Sequence, residues 1–352
     1  MGRDNVAMRY KGNSSLRSAY QMGVKKFSFR LNFDKYEDDY PQIEDQRFYG
    51  FKKMTFSNGF KDSSLLRDKV AAEMFRQGGV PVAMSSFARV YVNFGEVSTY
   101  FGLYTMIEDP SDEMIGVQFD DGSGNLYKPE GTGATWESFD EDSFEKKTNE
   151  ESSDWSDIIN AMDALHGDRT DALAWRTTLE KYFDTDSFLR CLAINQAMVN
   201  WDSYGTMNHN YYVYGNPAYN GRLVWFPWDL NEAMIQRQPG PGGEADNSGS
   251  VMLDEADDSW PLIRYLLDDD VYRDKYKTFL QNALDTSLDT DFVYNMLDEY
   301  HNLISPYVIG DNGESAPYTF LNSDSDFETS VSDDLKPHIA ARRIAVSEEL
   351  GL

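Results

Sequence analysis

Apolar and polar residues alternate with a period of two near the start of the chain. The segment KKFSFRLNF places apolar side chains at every second position from Phe27 to Phe33, with Lys26 and Arg30 at the positions of opposite parity. This alternation predicts a strand with one apolar face and one basic, polar face. Residues 6–34 are therefore expected to be rich in β-structure.

Later segments predict a helix and a hairpin. KDSSLLRDKVAAEMFRQGG has the apolar spacing of a helix over about 64–77, ended by Gly78 and Gly79. FARVYVNFGEVSTYFGLYTMIED predicts a β-hairpin with strands over about 87–93 and 100–107.

From residue 154 onward the spacing of apolar residues is mainly helical. Two β-type stretches, NYYVYG and GRLVWFPWDL, interrupt it and predict a second hairpin with its turn at 215–221. The predicted helices cover about 154–166, 170–182, 185–199, 260–267, 270–284, 290–304 and 335–350.

These elements predict an α+β fold with a β-rich N-lobe over 1–110, containing one helix, and a mainly helical C-lobe over 154–352, containing the second hairpin. The Gly-, Ser- and acid-rich segment 111–153 is expected to connect them as a solvated loop. A second Gly/Pro-rich loop, at 236–250, is expected to be mobile.

Charge and composition narrow the classes of function. The chain has a net charge of −28, which disfavours nucleic acid as a partner because binding a phosphate backbone requires a basic face. No apolar run is long enough to span a membrane, and the first residues lack the apolar core of a signal peptide. A single cysteine, Cys191, and four scattered histidines argue against a Cys- or His-based metal centre.

Basic residues are concentrated near the N-terminus, in MRYKGNSSLR and VKKFSFR. Such a block within a strongly acidic chain indicates a local anion site.

The second hairpin is flanked by carboxylates and amides. Asp202 follows a predicted helix, and Asp229 ends the second strand. If the two strands pair, Asp202, Asn208, Asn210 and Asp229 converge at one edge, where carboxylate and amide oxygens could hold Mg²⁺ and one carboxylate could accept a proton. The alternative is that these residues are caps and turn formers.

Phosphoryl transfer needs a phosphate-binding loop, a lysine, an aspartate that orients the acceptor hydroxyl and a metal-binding aspartate. In protein kinases these parts follow the order loop, lysine, helix with a glutamate, two strands, hinge, helical lobe, catalytic aspartate, asparagine and metal-binding aspartate. The order of parts in this chain resembles that of protein kinases. The chain supplies RYKGNSS, Lys25 or Lys26, Glu73, strands ending at Glu108, and then the hairpin residues.

The segments MRYKGNSS, KKFSFRLNF, VYVNFGEVSTYFGLYTMIED, NWDSYGTMNHNYYVY and FPWDLN resemble the CotH-type kinase family, first known as spore coat proteins. The resemblance extends over about residues 6–350. It implies an atypical, two-lobed protein-kinase-like fold that uses ATP and a divalent cation to phosphorylate Ser (or Thr) on secreted or coat proteins.

Matched to the family motifs, Asp202 corresponds to the catalytic aspartate and Asp229 to the metal-binding aspartate. Asn210, directly before YYVY, matches the metal-binding asparagine better than Asn208, although Asn208 stays open. The resemblance leaves Mg²⁺, Mn²⁺ and Ca²⁺ all possible. FPWDLN has Asn231 where the family has a second aspartate; if that aspartate binds metal, the site here loses a charge and binds the metal more weakly.

Lys26 is the expected phosphate-binding lysine, because it shares the polar strand face with Arg30, whereas Lys25 would point into the apolar face. Glu73 is expected to pair with Lys26, and Glu108 to line the nucleotide pocket. The phosphate contacts expected from RYKGNSS come from Arg9, Lys11, Gly12, Asn13, Ser14 and Ser15, although Arg9 could instead pair with an acidic group.

The prediction is a monomeric, extracellular, cell-surface or spore-coat-associated kinase, with ATP and Mg²⁺ between its lobes and a Ser-rich, basic protein as its substrate. A non-catalytic kinase-like module for adhesion or scaffolding is the alternative. The matching Lys, Asp, Asn and Asp favour the enzyme.

Overall fold

The computed structural model describes residues 2–95, 97–235 and 249–352, so most of the predicted loop 236–250 lies outside the described residues. The fold is mixed α+β with two antiparallel sheets, as predicted. The chain forms two compact units, each assembled from several stretches. Unit 1 comprises Met1–Ala72, Ala83–Met114 and Tyr294–Pro337, and unit 2 comprises Glu73–Val82, Ile115–Val293 and His338–Leu352.

The strands form one sheet in each unit. The strands are β1 (Ala7–Tyr10), β2 (Phe29–Asn32), β3 (Lys53–Ser57), β4 (Ser85–Asn93), β5 (Ser98–Glu108), β6 (Leu126–Pro129), β7 (Phe144–Lys146), β8 (Tyr211–Asn216) and β9 (Arg222–Pro227). Five strands make the sheet of unit 1, in the order β1-β2-β3-β5-β4, and four make the sheet of unit 2, in the order β7-β6-β8-β9.

The helices are α1 (Ser14–Met22), α2 (Arg67–Gln77), α3 (Asp112–Gln118), α4 (Ser156–Leu165), α5 (Ala172–Tyr182), α6 (Thr185–Met198), α7 (Pro261–Asp268), α8 (Asp270–Asp285), α9 (Thr290–Val308), α10 (Asp324–Glu328) and α11 (Lys336–Leu350). Short 3₁₀ turns span Pro41–Ile43, Thr132–Thr135, Glu141–Ser143 and Pro217–Tyr219, and a π-helical turn spans Ser330–Leu335.

The alternating pattern near the N-terminus sets the core of the five-stranded sheet. Phe29 and Leu31 pack against a buried cluster that includes Phe33, Phe56 and Tyr104, so the predicted apolar face is confirmed. Both predicted hairpins and all seven helices predicted after residue 154 are present, within a few residues of the expected bounds.

The second hairpin is the aromatic centre of unit 2. Every residue of β8 is buried, and the rings of Tyr211 and Trp225 stack with centroids 3.7 Å apart across β8 and β9. Aromatic side chains that cannot reach water stabilise the fold by burial and by stacking. The aromatic residues around the hairpin are therefore core.

Two sequence predictions of irregular structure are wrong. The phosphate-loop segment leads directly into helix α1, which was not predicted. Segment 111–153, predicted as a solvated loop, contains α3 and the paired strands β6 and β7, and Trp136 within it is fully buried. The polar composition of this segment suggested a loop, although its short helix and strands contain a few apolar residues that are buried.

Within the described residues, no helix is both long and apolar enough to cross a membrane.

Candidate functional site

The carboxylate of Asp202 is held from two sides. Its Oδ1 lies 2.9 Å from His209 Nε2, and its Oδ2 accepts a hydrogen bond of 3.0 Å from Asn210 Nδ2, which also donates to the Asp202 carbonyl at 2.8 Å. A carboxylate with both oxygens engaged has one orientation. The structure thus brings Asp202 and Asn210 together, as the hairpin argument predicts.

The hydrogen bond to the Asp202 carboxylate raises the pKa of His209 above its usual value, and the nearby charges of Glu130 and Asp229 act in the same direction. His209 donates to Asp202 through Nε2 in this arrangement. It was not predicted, because a lone histidine among asparagines carries no motif.

Asp229 lies two residues after the end of β9, and the pairing of β8 with β9 brings it to the Asp202 edge. Tyr211 pairs with Pro227, and the Trp228 N–H donates to the Asn210 carbonyl at 3.0 Å. Asn210 and Asp229 both adopt left-handed backbone conformations, with φ of 63° and 55°. Asn and Asp tolerate this region better than other residues with a side chain, which explains these residue types at two sharp turns.

Asn208 does not join this group through its amide nitrogen, which donates to the Gly131 carbonyl at 2.8 Å. Asn210 is therefore the better placed of the two candidate asparagines. Asn210 Nδ2 donates hydrogen bonds to Asp202, so Asn210 Oδ1 is the atom that could bind a cation.

A buried ion pair lies in unit 1. Lys26 is fully buried, and its Nζ lies 2.5 Å from Glu314 Oε1, whose side chain is 1% exposed. The predicted pairing of Lys26 with Glu73 is wrong. Glu314 is 288 residues away in sequence, in the loop after α9, and no sequence motif marks it.

Lys25 is exposed, so the expectation that it points into the apolar face is also wrong. The strand β2 begins only at Phe29, and the parity of the strand does not extend back to Lys25.

Gly102 makes room for the buried pair. Its φ is +107°, and a Cβ there would lie 2.7 Å from Glu314 Oε1 and 3.0 Å from Lys26 Cε. The N–H of Leu103 donates to the same Oε1 at 2.7 Å. Glu314 Oε2 is buried and has no hydrogen-bond partner among the described residues. A buried carboxylate oxygen without a donor indicates a water or ligand at this place.

The KGNSS segment forms a strand, a glycine turn and a helix N-terminus. Gly12 has φ +85°, and a Cβ there would overlap Ser15 Oγ. α1 begins at Ser14, and the side chain of its N-cap residue, Asn13, makes no capping hydrogen bond. The first N–H groups of a helix attract anions, so the predicted phosphate-contact residues are at a suitable position.

The polar face of the sheet carries further unsatisfied groups. Arg9 pairs with Arg30 across β1 and β2, and Arg30 pairs with Thr55 across β2 and β3. Arg30 Nη2 lies 2.7 Å from Asp109 Oδ2, while Arg30 Nε and Thr55 Oγ1 are buried without hydrogen-bond partners among the described residues. Arg9 is exposed.

Glu73 and Glu108 lie in different surroundings. Glu73 Oε2 lies 2.6 Å from Arg76 Nη1, one turn further along α2. Glu108 is buried and accepts a hydrogen bond of 3.0 Å from the Met84 N–H, which joins the end of β5 to the start of β4. Its expected role in a nucleotide pocket stays a prediction.

Comparison with known proteins places this sequence in a family. The sequence pattern of the family described as CotH kinase protein matches residues 8–346. The chain is also 23% identical over 303 residues to inner spore coat protein H of Bacillus subtilis (strain 168), covering 84% of this chain and 77% of that protein. The residues matched by the family pattern include the GNSS turn, α6 and both hairpins. The chain belongs to the CotH kinase protein family.

Proposed function

We propose that the protein is a kinase that transfers the γ-phosphate of ATP to Ser (or Thr) of a coat or surface protein. The observation that carries this proposal is the Asp202 carboxylate, which Asn210 fixes. Asp229 follows Trp228, whose N–H donates to the Asn210 carbonyl. The chain belongs to the CotH kinase protein family. An oriented carboxylate next to a carboxylate and an amide oxygen is the set that phosphoryl transfer uses.

The donor atoms of unit 2 fit a hard cation that arrives with a nucleotide. No group of three His, Cys, Asp or Glu side chains in the described residues could hold a metal ion unaided. Mg²⁺ typically binds one or two carboxylates together with phosphate oxygens and water. Asp229 and Asn210 Oδ1 would hold the cation, which would neutralise phosphate charge.

The basic groups of unit 1 fit phosphate. Lys26 Nζ has three hydrogens, and Glu314 is its one hydrogen-bond partner within the described residues. The remaining donor capacity of a buried ammonium suits a phosphate oxygen. The N-terminus of α1, with Ser14 and Ser15, supplies further donors.

Asp202 would orient the acceptor hydroxyl and accept its proton. The hydrogen bonds from His209 and Asn210 fix the carboxylate, so it needs little reorganisation when the hydroxyl arrives. Asp202 would not hold the metal in this division of roles.

The acceptor is proposed to be a Ser-rich, basic protein of a spore coat or cell surface. The relative from Bacillus subtilis is named as a spore coat protein. The net charge of −28 favours a basic partner, because complementary charge speeds association.

The test is to incubate the protein with γ-labelled ATP and Mg²⁺ in two reactions, one that contains a basic Ser-rich protein and one that contains the chain alone. Label in the basic protein supports the proposal, and label in the chain would indicate autophosphorylation. A parallel thermal-shift measurement separates the alternatives, because a nucleotide that binds the native state raises Tm. If millimolar ATP with Mg²⁺ gives neither label nor shift, the non-catalytic scaffold is the better hypothesis.

A further inference from the structure

The helix α6 ends in a strained turn just before Asp202. Its C-cap residue, Val199, has φ +61°. This left-handed conformation is an outlier for a β-branched residue and persists only where surrounding contacts enforce it. The contacts that enforce it therefore also determine where Asp202 lies.

Two basic side chains of α11 bind the last carbonyls of α6. Arg342 donates from Nη2 to the Gln196 carbonyl at 2.9 Å and from Nε to the Ala197 carbonyl at 3.2 Å. His338, one turn earlier, lies with Nε2 2.8 Å from the Met198 carbonyl. Three consecutive carbonyls at the end of α6 are thus bound by one face of α11.

Within the described ranges, Arg342 is buried without an acidic partner, which is unusual for a cation in so acidic a chain. It is 9% exposed, and all its hydrogen-bond partners in the described part of the chain are backbone carbonyls, the third being Gly249 at 2.9 Å from Nη1. Desolvating a guanidinium is costly unless its donors are satisfied. The carbonyls at a helix C-terminus carry partial negative charge, which offsets that cost.

The turn is also bound from the other side. The Met234 N–H donates to the Val199 carbonyl at 2.9 Å. Within the turn, Asn195 Nδ2 donates to the Asn200 carbonyl at 3.1 Å and to Ser203 Oγ at 2.7 Å. Arg342 and His338 hold the helix end, and these bonds transmit that position to residues 200–203.

We propose that Arg342, assisted by His338, is a positioning residue for Asp202: it fixes the end of α6 and so the orientation of the segment 199–203. The role of Asp202 in this proposal rests on the proposed kinase function. The positioning of the segment does not, and can be measured separately.

The next residue provides a matched control. Arg343 also donates to two backbone carbonyls, each at 2.5 Å: that of Leu284 in the last turn of α8 and that of Leu288 in the segment between α8 and α9. Arg342→Met and Arg343→Met each remove a guanidinium that binds carbonyls, so each is expected to lower Tm. Only Arg342→Met should disturb the Asp202 segment.

The experiment compares Arg342→Met, Arg342→Lys and Arg343→Met in the full chain, by hydrogen exchange over 199–203 and by phosphate transfer. Loss of charge-assisted hydrogen bonds should speed exchange there by about tenfold or more in Arg342→Met. In the same variant kcat should fall, with KM for ATP within about a factor of two, because the interaction acts on Asp202 and not on ground-state nucleotide binding. Arg343→Met should change neither quantity.

Arg342→Lys retains the positive charge but lacks the planar set of donors of a guanidinium. The rate of hydrogen exchange over 199–203 in this variant should therefore lie between those of the wild type and Arg342→Met. Arg342→Lys replaces Arg342→Met if that variant does not fold. Unchanged exchange over 199–203 in either Arg342 variant, or equal acceleration in Arg343→Met, would overturn the proposal. Absence of transfer in the wild type would instead refute the kinase function, while exchange still decides the positioning role.

Discussion

Lys26 and Glu314 show at the level of single residues how a buried charge depends on its partner. Their side chains are 0% and 1% exposed. Removing two such charges from water costs several kcal/mol each, and their attraction repays this only while both are present. The two residues therefore depend on each other for stability.

Glu314→Gln is expected to leave Lys26 buried without a counter-charge. Breaking a buried pair in this way typically costs about 3–5 kcal/mol. The double variant Lys26→Met with Glu314→Gln should be more stable than Glu314→Gln alone. Urea unfolding of the wild type, Lys26→Met, Glu314→Gln and the double variant measures this. Additive losses in the double variant would show that the pair is not coupled.

The two hairpin aspartates are predicted to have separable roles. Asp202→Asn keeps the shape but removes the proton acceptor, so turnover should fall by about 10²–10⁴-fold with little change in ATP–Mg²⁺ affinity. Asp229→Asn should weaken both turnover and metal-dependent binding. Isothermal titration beside phosphate incorporation measures the difference. If Asp202→Asn loses nucleotide as completely as Asp229→Asn, both carboxylates hold the metal.

At the scale of elements, the turn between β1 and α1 forms the candidate phosphate site. A helix N-terminus can bind an anion only if its first N–H groups are accessible and correctly oriented. Gly12 sets that orientation, since its φ of +85° is reached without strain only by glycine.

Gly12→Ala is expected to weaken ATP binding, because the new Cβ overlaps Ser15 Oγ and distorts the first turn of α1. Gly23→Ala is the control. It lies at the other end of α1 with φ +74° and has no atom within 4 Å of the new Cβ, so it introduces backbone strain of about 1–2 kcal/mol alone. Titration with ATP–Mg²⁺ compares the two, and equal affinities would remove α1 from the phosphate site.

At the scale of the whole molecule, the net charge of −28 should govern encounter with the acceptor protein. Attraction between an acidic enzyme and a basic substrate is screened as the Debye length falls from about 10 Å at 0.1 M salt to about 3 Å at 1 M. KM for a basic Ser-rich acceptor should therefore rise with salt, whereas KM for a neutral Ser-containing peptide should not. Equal salt dependence for both acceptors would mean that charge does not select the substrate.

The sequence by itself determined the elements whose signal is local. The alternation from Phe27 to Phe33 determines which face of β2 is apolar, because successive side chains of a strand point to opposite faces. The pairing of β8 with β9 brings Asn210 and Asp229 to one edge, and that follows from two short β-type segments and the turn between them.

Only the tertiary structure decided the contacts that join distant parts of the chain. The partner of Lys26 is Glu314 and not Glu73, and Arg342 binds the end of α6, although neither residue lies in a motif. β6 and β7 are only four and three residues long and form because they pair with each other and β6 pairs with β8, so they give little local signal. The spacing of apolar residues along the sequence indicates which face of a helix or strand is buried. The partner of a residue in a distant segment depends on how the helices and strands pack, and a local sequence pattern does not contain that information.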